Sequence, residues 1–278
     1  MTGQQAVGAD ARLHRETSHL AVVRYVSASA ANICDDGNSW VMICDQALGG
    51  GPHTVLIDDS RGLSETLSVG ETVSIGAKGI AVRAGLLVSW EGAPKWAPEP
   101  PLGFAAGVSG RVARAERIVG ALGRFSARPL ISRHVRELRA SCLGLSLRGL
   151  ERAVADLVGL GPGLTPAGDD YLGGYLAALL HIGVASRSAE SARMLITRAM
   201  DSSAGHSHPL SEYLLGEYRA GMIPEFLSSC LRTVLHPSTG QHLACRVRRV
   251  LSHGATSGTE MMLGLLDATR DFCPELAA

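Results

Sequence analysis

The sequence has no excess of charge of either sign and almost no lysine. Its 26 basic residues balance 26 acidic ones, and only Lys78 and Lys95 are lysines. A neutral chain has no global electric field that would recruit nucleic acid or an anionic membrane surface. We therefore expect neither a nucleic-acid partner nor a membrane partner.

Paired cysteines and long apolar runs are also missing. The six cysteines are scattered, with no C-x-x-C pair and no zinc-finger spacing. The longest apolar run, near the middle of the chain, is too short to span a bilayer. The first residues include Asp10, Arg12 and Arg15 and no apolar signal core. These features predict a soluble, cytoplasmic protein with reduced thiols.

Several well-known catalytic motifs are absent. The sequence has no P-loop, no nucleophile elbow, no zincin helix and no dinucleotide fingerprint. We expect no cofactor. The pair His206-Ser-His208 could supply two metal ligands, but a polar loop with two histidines more often binds nothing, so we predict no metal site.

The N-terminal third has the pattern of short strands. Residues 1–16 are small and polar, which predicts a flexible N-terminus. A β-rich domain is expected over residues 17–98, ending in the proline-rich stretch 91–101. The predicted strands are 20–26, 39–44, 53–57, 72–75, 79–82 and 86–90. Their regular spacing indicates an antiparallel sheet, a sandwich or a small barrel.

Residues 99–278 are expected to form a helical domain. Apolar residues recur three and four apart, with arginines on the opposite face. The predicted helices are 112–122, 131–142, 147–158, a central helix that starts at Pro166 and includes 171–184, and then 189–200, 210–219, 225–235, 242–252 and 260–269. The stretch 171–184 of the central helix is apolar on every face, so this helix should be buried. The fold class is therefore α+β, with a β sheet or barrel followed by a mainly helical region.

The stretch Gly161-Pro-Gly-Leu-Thr-Pro-Ala-Gly-Asp-Asp170 leads into this central helix. Thr165 is predicted as its N-cap, with Pro166 at the first helical position. Asp169 and Asp170 then lie in the first turn, where the helix dipole favours negative charge. The acids could simply stabilise the helix end. Alternatively, Gly161, Gly163 and Gly168 could let backbone N–H groups come close to a small anion and bind it.

A second glycine loop opens the last helix. Gly254-Ala-Thr-Ser-Gly-Thr-Glu-Met-Met-Leu-Gly264 aligns, with one gap, with the stretch that begins at Gly163. Ser257-Gly-Thr-Glu260 resembles a capping box. Two such loops suggest helix N-termini directed at a common point. His253 precedes the second loop and could carry a proton near neutral pH, or be a loop histidine with no role in catalysis.

Two further candidates lie in the β-rich region. The turn Gly49-Gly-Gly-Pro52 could expose backbone donors beside a site, notably at Gly51, or be only a tight turn between strands. Asn32, in Ser29-Ala-Ala-Asn32, is predicted to close a strand, which is the usual position of an asparagine that forms a turn.

These stretches together resemble a known family. Residues 161–172 and 254–264 are similar to the two signature stretches of the AllH-type (YlbF-like) proteins, long catalogued as a domain of unknown function. Residues 29–32 and 50–57 are similar to that family's N-terminal segment. The resemblance implies a subunit of oxamate carbamoyltransferase, which converts oxalurate and phosphate into oxamate and carbamoyl phosphate with other subunits present.

From the residues and this resemblance we predict an enzyme, or an enzyme subunit, that acts on a small carboxylate, amide or phosphate. Asp169 or Asp170 would orient the substrate or act as a general base. Thr165, His253, Thr256 and Ser257 would supply hydrogen bonds or proton transfer, and the remaining predicted substrate-binding residues are Gly161, Gly163, Leu164, Gly168, Gly258, Gly51 and Asn32. The alternatives are a non-catalytic subunit that needs a partner protein, and a family member recruited to another reaction such as a cyclisation.

Overall fold

A computed structural model of the chain describes residues 4–15, 17–60, 62–83, 85–122, 128–238 and 240–273. The chain divides into two compact units, Met1–Pro98 and Glu99–Ala278. Each unit has its own hydrophobic core, built from aliphatic side chains of the strands in the first and of the helices in the second.

The first unit is a curled mixed sheet, in which ten strands are described. They are β1 (Gln4–Gln5), β2 (Gly8–Asp10), β3 (His19–Val26), β4 (Ala30–Asp35), β5 (Trp40–Asp45), β6 (Thr54–Ile57), β7 (Thr72–Gly76), β8 (Gly79–Val82), β9 (Gly85–Ser89) and β10 (Lys95–Trp96). Their order in the sheet is β1-β9-β8-β7-β3-β4-β5-β6-β2-β10. A short helix, α1 (Leu63–Thr66), lies between β6 and β7.

The sheet is mixed and not purely antiparallel. The central pairs β3–β4, β4–β5, β3–β7, β7–β8 and β8–β9 are antiparallel, as the regular strand spacing predicts. However, β5 pairs with β6 in parallel, and so do β1 with β9 and β10 with β2. The parallel β5–β6 pair follows from the chain leaving the end of β5 and crossing back through Gln46–Leu48 and the glycine turn.

The sequence pattern does not predict four of these strands. In place of a flexible N-terminus, residues 4–15 contain β1 and β2, with Ala9 and Leu13 fully buried. Strand β10 lies inside the proline-rich stretch. It is at one edge of the sheet, so a neighbouring proline does not disrupt hydrogen bonds to another strand. These strands are short and poor in β-branched residues, so the pattern alone cannot reveal them.

Asn32 lies within β4 and does not close a strand. It pairs with Tyr25 on β3 and with Met42 on β5, and it is buried. The turn residues Asp35–Asn38 join the antiparallel strands β4 and β5, and Asn38 adopts the left-handed conformation. The strand before this turn is hidden in the sequence because alanine and asparagine have low β-propensity.

The second unit is helical, and all nine predicted helices are present. They are α2 (Val108–Leu122), α3 (Arg128–Leu143), α4 (Leu147–Leu157), α5 (Ala167–Gly183), α6 (Arg187–Met200), α7 (Pro209–Arg219), α8 (Glu225–Leu235), α9 (Gly240–Leu251) and α10 (Ser257–Phe272). Strands followed by helices confirm the α+β class. Within the part of the chain that the structure describes, no helix has both the length and the apolar character needed to cross a bilayer.

Helix α5 is at the centre of the second unit. Every residue from 167 to 179 is buried, as the all-round apolar sequence predicts. Helices α4, α6, α7, α8 and α10 surround it, and α10 makes the most extensive contact. The position of α5 means that any polar group on it must be satisfied inside the protein.

Candidate functional site

Helices α5 and α10 run in the same direction and pack at unusually short range. The Tyr171 hydroxyl donates to Asp267 at 3.0 Å, and one turn further along, Tyr175 donates to Asp271 at 2.9 Å. Both partners advance by four residues, which defines a parallel pair. The two helix N-termini therefore lie at the same end.

Glycine allows this approach on both helices. A Cβ atom on Gly174 would overlap the carbonyl oxygen of Met261, and a Cβ on Gly264 would overlap the carbonyl oxygen of Tyr171. Each helix thus presents a glycine to the backbone of the other, at equivalent positions. The sequence similarity between the two glycine loops therefore extends into the helices that follow them.

The helix starts differ from the predicted caps by one residue. Helix α5 begins at Ala167 with Pro166 as its N-cap, and α10 begins at Ser257 with Thr256 as its N-cap. Neither N-cap side chain makes a capping hydrogen bond. The Thr165 hydroxyl instead lies 3.0 Å from the Ser257 hydroxyl. The two hydroxyls assigned to capping from the sequence therefore join the two helix N-termini.

Asp169 is bound entirely by neighbouring structure. Its Oδ1 accepts from the Gly159 N–H at 2.9 Å, and its Oδ2 accepts from the hydroxyls of Ser211, at 2.6 Å, and Ser207. These bonds hold together the end of α4, the start of α5 and the start of α7. Such a carboxylate is a structural connector, with its acceptor capacity used by the protein itself.

Asp170 has a different environment. It is 3% exposed, and its Oδ2 has no hydrogen-bond partner among the described residues. Burial, together with the negative charges of Asp169 and Glu260, raises the pKa of Asp170 to about 8. Hydrogen bonds from the Ser257 and Thr165 hydroxyls offset part of that rise. The result is a carboxyl group that is mostly protonated at neutral pH.

Glu260 is a further buried acid of this region, and the sequence pattern did not mark it as a site residue. It is 0% exposed and is the fourth residue of α10, just as Asp170 is the fourth residue of α5. The capping-box pattern assigns it to the helix end. The signal that could have identified it is the alignment of the two loops, which places it opposite Asp170.

The N–H groups of Gly168 and Gly258, at the starts of α5 and α10, are already in use. The Gly168 N–H donates to Leu160 and the Gly258 N–H donates to His253, each at 3.0 Å. A Cβ on either glycine would overlap the carbonyl oxygen of the preceding helix end, Leu157 or Val250. These glycines are therefore needed for close packing, and their N–H groups are not available to an anion in this conformation.

The loop before α5 is the accessible part of this region. Pro162 and Gly163 are exposed, while Leu164 and Thr165 are partly buried. Gly161 and Gly163 have φ angles of 125° and 100°, which favour glycine. A side chain at Gly163 would meet no atom within 4 Å, so this position faces open space.

His253 and Thr256 lie in the loop before α10. The His253 ring stacks on Phe226, with ring centroids 3.6 Å apart, and its Nδ1 donates to the Arg249 carbonyl at 2.9 Å. The hydrogen bond fixes the proton on Nδ1. The Thr256 carbonyl accepts from the N–H groups of Thr259 and Glu260. The roles of His253 and Thr256 in substrate chemistry remain predictions.

The remaining candidates from the sequence lie in the first unit or make hydrogen bonds at another helix. Gly51 is buried, and its carbonyl accepts from Thr54, in the turn that precedes β6. At the neighbouring Gly50, a Cβ would overlap the Trp96 ring, so the glycine turn has a packing reason. His208 accepts from the Leu210 N–H and caps α7.

A polar network that the sequence did not reveal lies further along the helix pair. Arg139 on α3 makes a bidentate ion pair with Asp271, at 2.6 and 2.9 Å, and lies 3.2 Å from Asp267. The tyrosines of α5 donate to the same two carboxylates. The network satisfies its buried charges internally and therefore stabilises the α3–α5–α10 arrangement.

Most of this region matches one known protein family. Residues 157–269 match the family described as oxamate carbamoyltransferase subunit AllH. The match covers both glycine loops and the helices α5 and α10, and it confirms the family resemblance over these residues. Residues 29–32 and 50–57 lie outside it, so their resemblance stays a prediction. Comparisons with curated proteins and with solved structures find no match.

Proposed function

Since residues 157–269 belong to the AllH family, we propose that this chain is a subunit of a carbamoyltransferase that acts on a small anionic metabolite. The substrate pair would be oxalurate and phosphate in one direction, and oxamate and carbamoyl phosphate in the other. The reacting group would lie beside Asp170, between the N-termini of α5 and α10.

The observation that carries this proposal is the state of the Asp170 carboxyl. It is buried, its Oδ2 lacks a described hydrogen-bond partner, and its pKa is raised to about 8. A carboxyl group that is protonated near pH 7 can donate a proton in a transition state and take it back afterwards. Asp169 is excluded from this role because its oxygens are bound to Gly159, Ser207 and Ser211.

Carbamoyl transfer from oxalurate needs one proton to move. A phosphate oxygen forms a bond to the carbamoyl carbon, and the bond from that carbon to the oxamate nitrogen breaks. The leaving nitrogen gains a proton, and the attacking hydrogen phosphate loses one, so the reaction is balanced. Asp170 would donate its proton to the nitrogen and recover a proton from the phosphate.

The same protonation state favours anion binding. An ionised Asp170 would repel a carboxylate or phosphate, whereas a protonated Asp170 carries no charge and does not repel it. The positive ends of two helix dipoles meet at this point, and Thr165 and Ser257 supply hydroxyl groups. Because the described N–H groups of Gly168 and Gly258 are occupied, the hydroxyls and the dipoles would hold the substrate. Entry would require movement of the exposed Pro162–Gly163 segment.

The proposal is tested with an Asp170→Asn variant, assayed with its partner subunits for carbamoyl transfer between carbamoyl phosphate and oxamate. We expect kcat to fall by about 10²–10⁴-fold, the range associated with loss of a general acid or base. Glu151→Gln removes an exposed carboxylate of the same unit and should leave the rate unchanged. Full activity of Asp170→Asn, with an unaltered fold, would rule out the proton-transfer role.

A second candidate function is that of a non-catalytic subunit that holds a partner protein. An open groove of about 560 Å³ between α2 and α9 favours it, because the described residues that line the groove include Arg114, Arg117 and Arg248 and no acidic residue. Ile118 and Leu122 supply an apolar surface beside these cations. Such a groove suits an acidic segment of another chain.

The two candidates are separated by assaying the purified chain alone and with its partner subunits. Turnover by the chain alone would exclude a purely accessory role. If the groove holds a partner, the double variant Arg117→Glu/Arg248→Glu should fail to co-purify with it, while Asp170→Asn should still do so. Unchanged co-purification of the double variant would remove the groove from consideration.

A further inference from the structure

A histidine and two carboxylates converge on the exposed side of α3 and α4. His134 and Glu137 are one turn apart on α3, and Asp156 is in the last turn of α4. His134 Nδ1 lies 3.6 Å from Asp156 Oδ2 and 3.8 Å from Glu137 Oε2. One ligand atom from each residue lies within 4.8 Å of the other two. Among the described residues, no other group of three histidine, cysteine, aspartate or glutamate side chains brings its ligand atoms this close together.

The separations suit a metal ion. Ligand atoms bound to zinc at about 2.1 Å in tetrahedral geometry lie about 3.4 Å apart. The two measured distances exceed that value by only a few tenths of an ångström, which small side-chain rotations can supply. One imidazole with two carboxylates is also a set of ligands that divalent first-row transition metals accept.

The hydrogen bonds around the group leave the ligand atoms available. His134 Nδ1 is buried from solvent and has no hydrogen-bond partner in the described part of the chain. Arg133 binds Glu137 through Oε1, at 3.0 Å, so that Oε2 is directed to His134.

We propose that His134, Glu137 and Asp156 form a binding site for a divalent transition-metal ion of the zinc class, with solvent completing the coordination. A neutral His134, with its proton on Nε2, would bind the metal through Nδ1. The partly exposed Glu137 and Asp156 leave room for a water ligand.

The position of Asp156 gives the site a structural consequence. Asp156 immediately precedes Leu157, whose carbonyl oxygen packs against Gly168 at the start of α5. Two residues beyond Leu157, the Gly159 N–H binds Asp169. A metal ion that links α3 to the end of α4 would therefore hold the segment on which the start of α5 rests. This inference does not depend on the proposed carbamoyl transfer.

The test is a zinc titration of the full chain after treatment with EDTA and removal of the chelator. We expect one zinc ion per chain, a raised Tm on zinc binding, and visible absorption by Co²⁺ in place of zinc. His134→Ala should weaken binding by at least about tenfold and abolish both effects. Asp156→Asn and Glu137→Gln should weaken it as well, with each variant's fold checked in EDTA.

His206→Ala is the matched control, because His206 and His208 are the two histidines that lie nearest to each other in the sequence. It should bind zinc like the unaltered chain. Zinc binding that survives His134→Ala, or that is lost only in His206→Ala, would overturn the assignment.

Discussion

The hydroxyl oxygens of Thr165 and Ser257 lie 3.0 Å apart, although 92 residues separate them in the sequence. This contact joins the N-terminus of α5 to that of α10 and places both hydroxyls beside the Asp170 carboxyl. It explains why neither residue acts as a simple helix cap. Four predictions follow from this arrangement and from the packing around it.

Removing the Ser257 hydroxyl should raise the pKa of Asp170 further. The hydroxyl bonds the carboxylate and so favours its ionised form, and Ser257→Ala loses that stabilisation. The pH at which Asp170 ionises should rise above about 8, as measured by carbon NMR of the labelled carboxyl. Ser252→Ala, which removes an exposed hydroxyl from the same loop, should produce no shift. If Asp170 titrated at the same pH in both variants, the Ser257 hydroxyl would have no effect on its ionisation.

Asp170 should also make the stability of the protein depend on pH. Its pKa is near 8 in the folded state, against an ordinary value of 3.8, so the folded protein holds a proton that the unfolded chain releases. The free energy of unfolding should therefore decrease as the pH rises through this window, by up to about 1.4 kcal/mol per pH unit. In Asp170→Asn this part of the slope should disappear. Urea unfolding of both proteins between pH 5 and about 8 measures the difference.

Glycine at the helix crossing should be essential for stability. Gly174→Ala and Gly264→Ala each place a Cβ against a backbone carbonyl, which cannot move without displacing its helix. We expect a loss of about 1–3 kcal/mol in the free energy of unfolding for each. Gly120→Ala in α2 is the control, since a Cβ there meets no atom within 4 Å. It should stabilise the protein by about 0.5–1 kcal/mol.

Substitutions of the two adjacent aspartates should have different effects. Asp169→Ala leaves the Gly159 N–H and two serine hydroxyls without their acceptor and should cost about 1–3 kcal/mol of stability or more. Asp170→Asn should lose activity without losing stability at neutral pH. Thermal unfolding measures the first effect and the carbamoyl-transfer assay the second. Equal losses of stability in both variants would contradict the division of roles.

Much of the second unit is predictable because its helices follow a strong period. The nine helices have apolar residues three and four apart, and α5 is apolar all round, so their existence and the burial of α5 follow from the sequence. The first unit is less predictable. Strands β1, β2, β4 and β10 are short or built from small and polar residues, and the sheet supplies the pairing that makes them strands.

The candidate site was only partly visible in the sequence. The glycine loops and Asp170 are marked by an unusual motif, and the alignment of the two loops pointed to helix ends with a shared target. The roles of Asp169, Gly168 and Gly258 were not visible, because hydrogen bonds and backbone contacts with other elements decide them. Glu260 was overlooked because a glutamate four residues into a helix is common at helix starts.

By itself, the sequence determined the secondary structure of the helical unit, its apolar central helix and the match of residues 157–269 to the AllH family. These properties depend on local residue order, which is read along the chain. Only the tertiary structure decided which of two neighbouring carboxylates is bound by serines and a backbone N–H and which is left to change its proton. The reason is that desolvation and charge depend on what surrounds a group in space, and α10 brings Ser257 and Glu260 to Asp170 from a distant part of the chain.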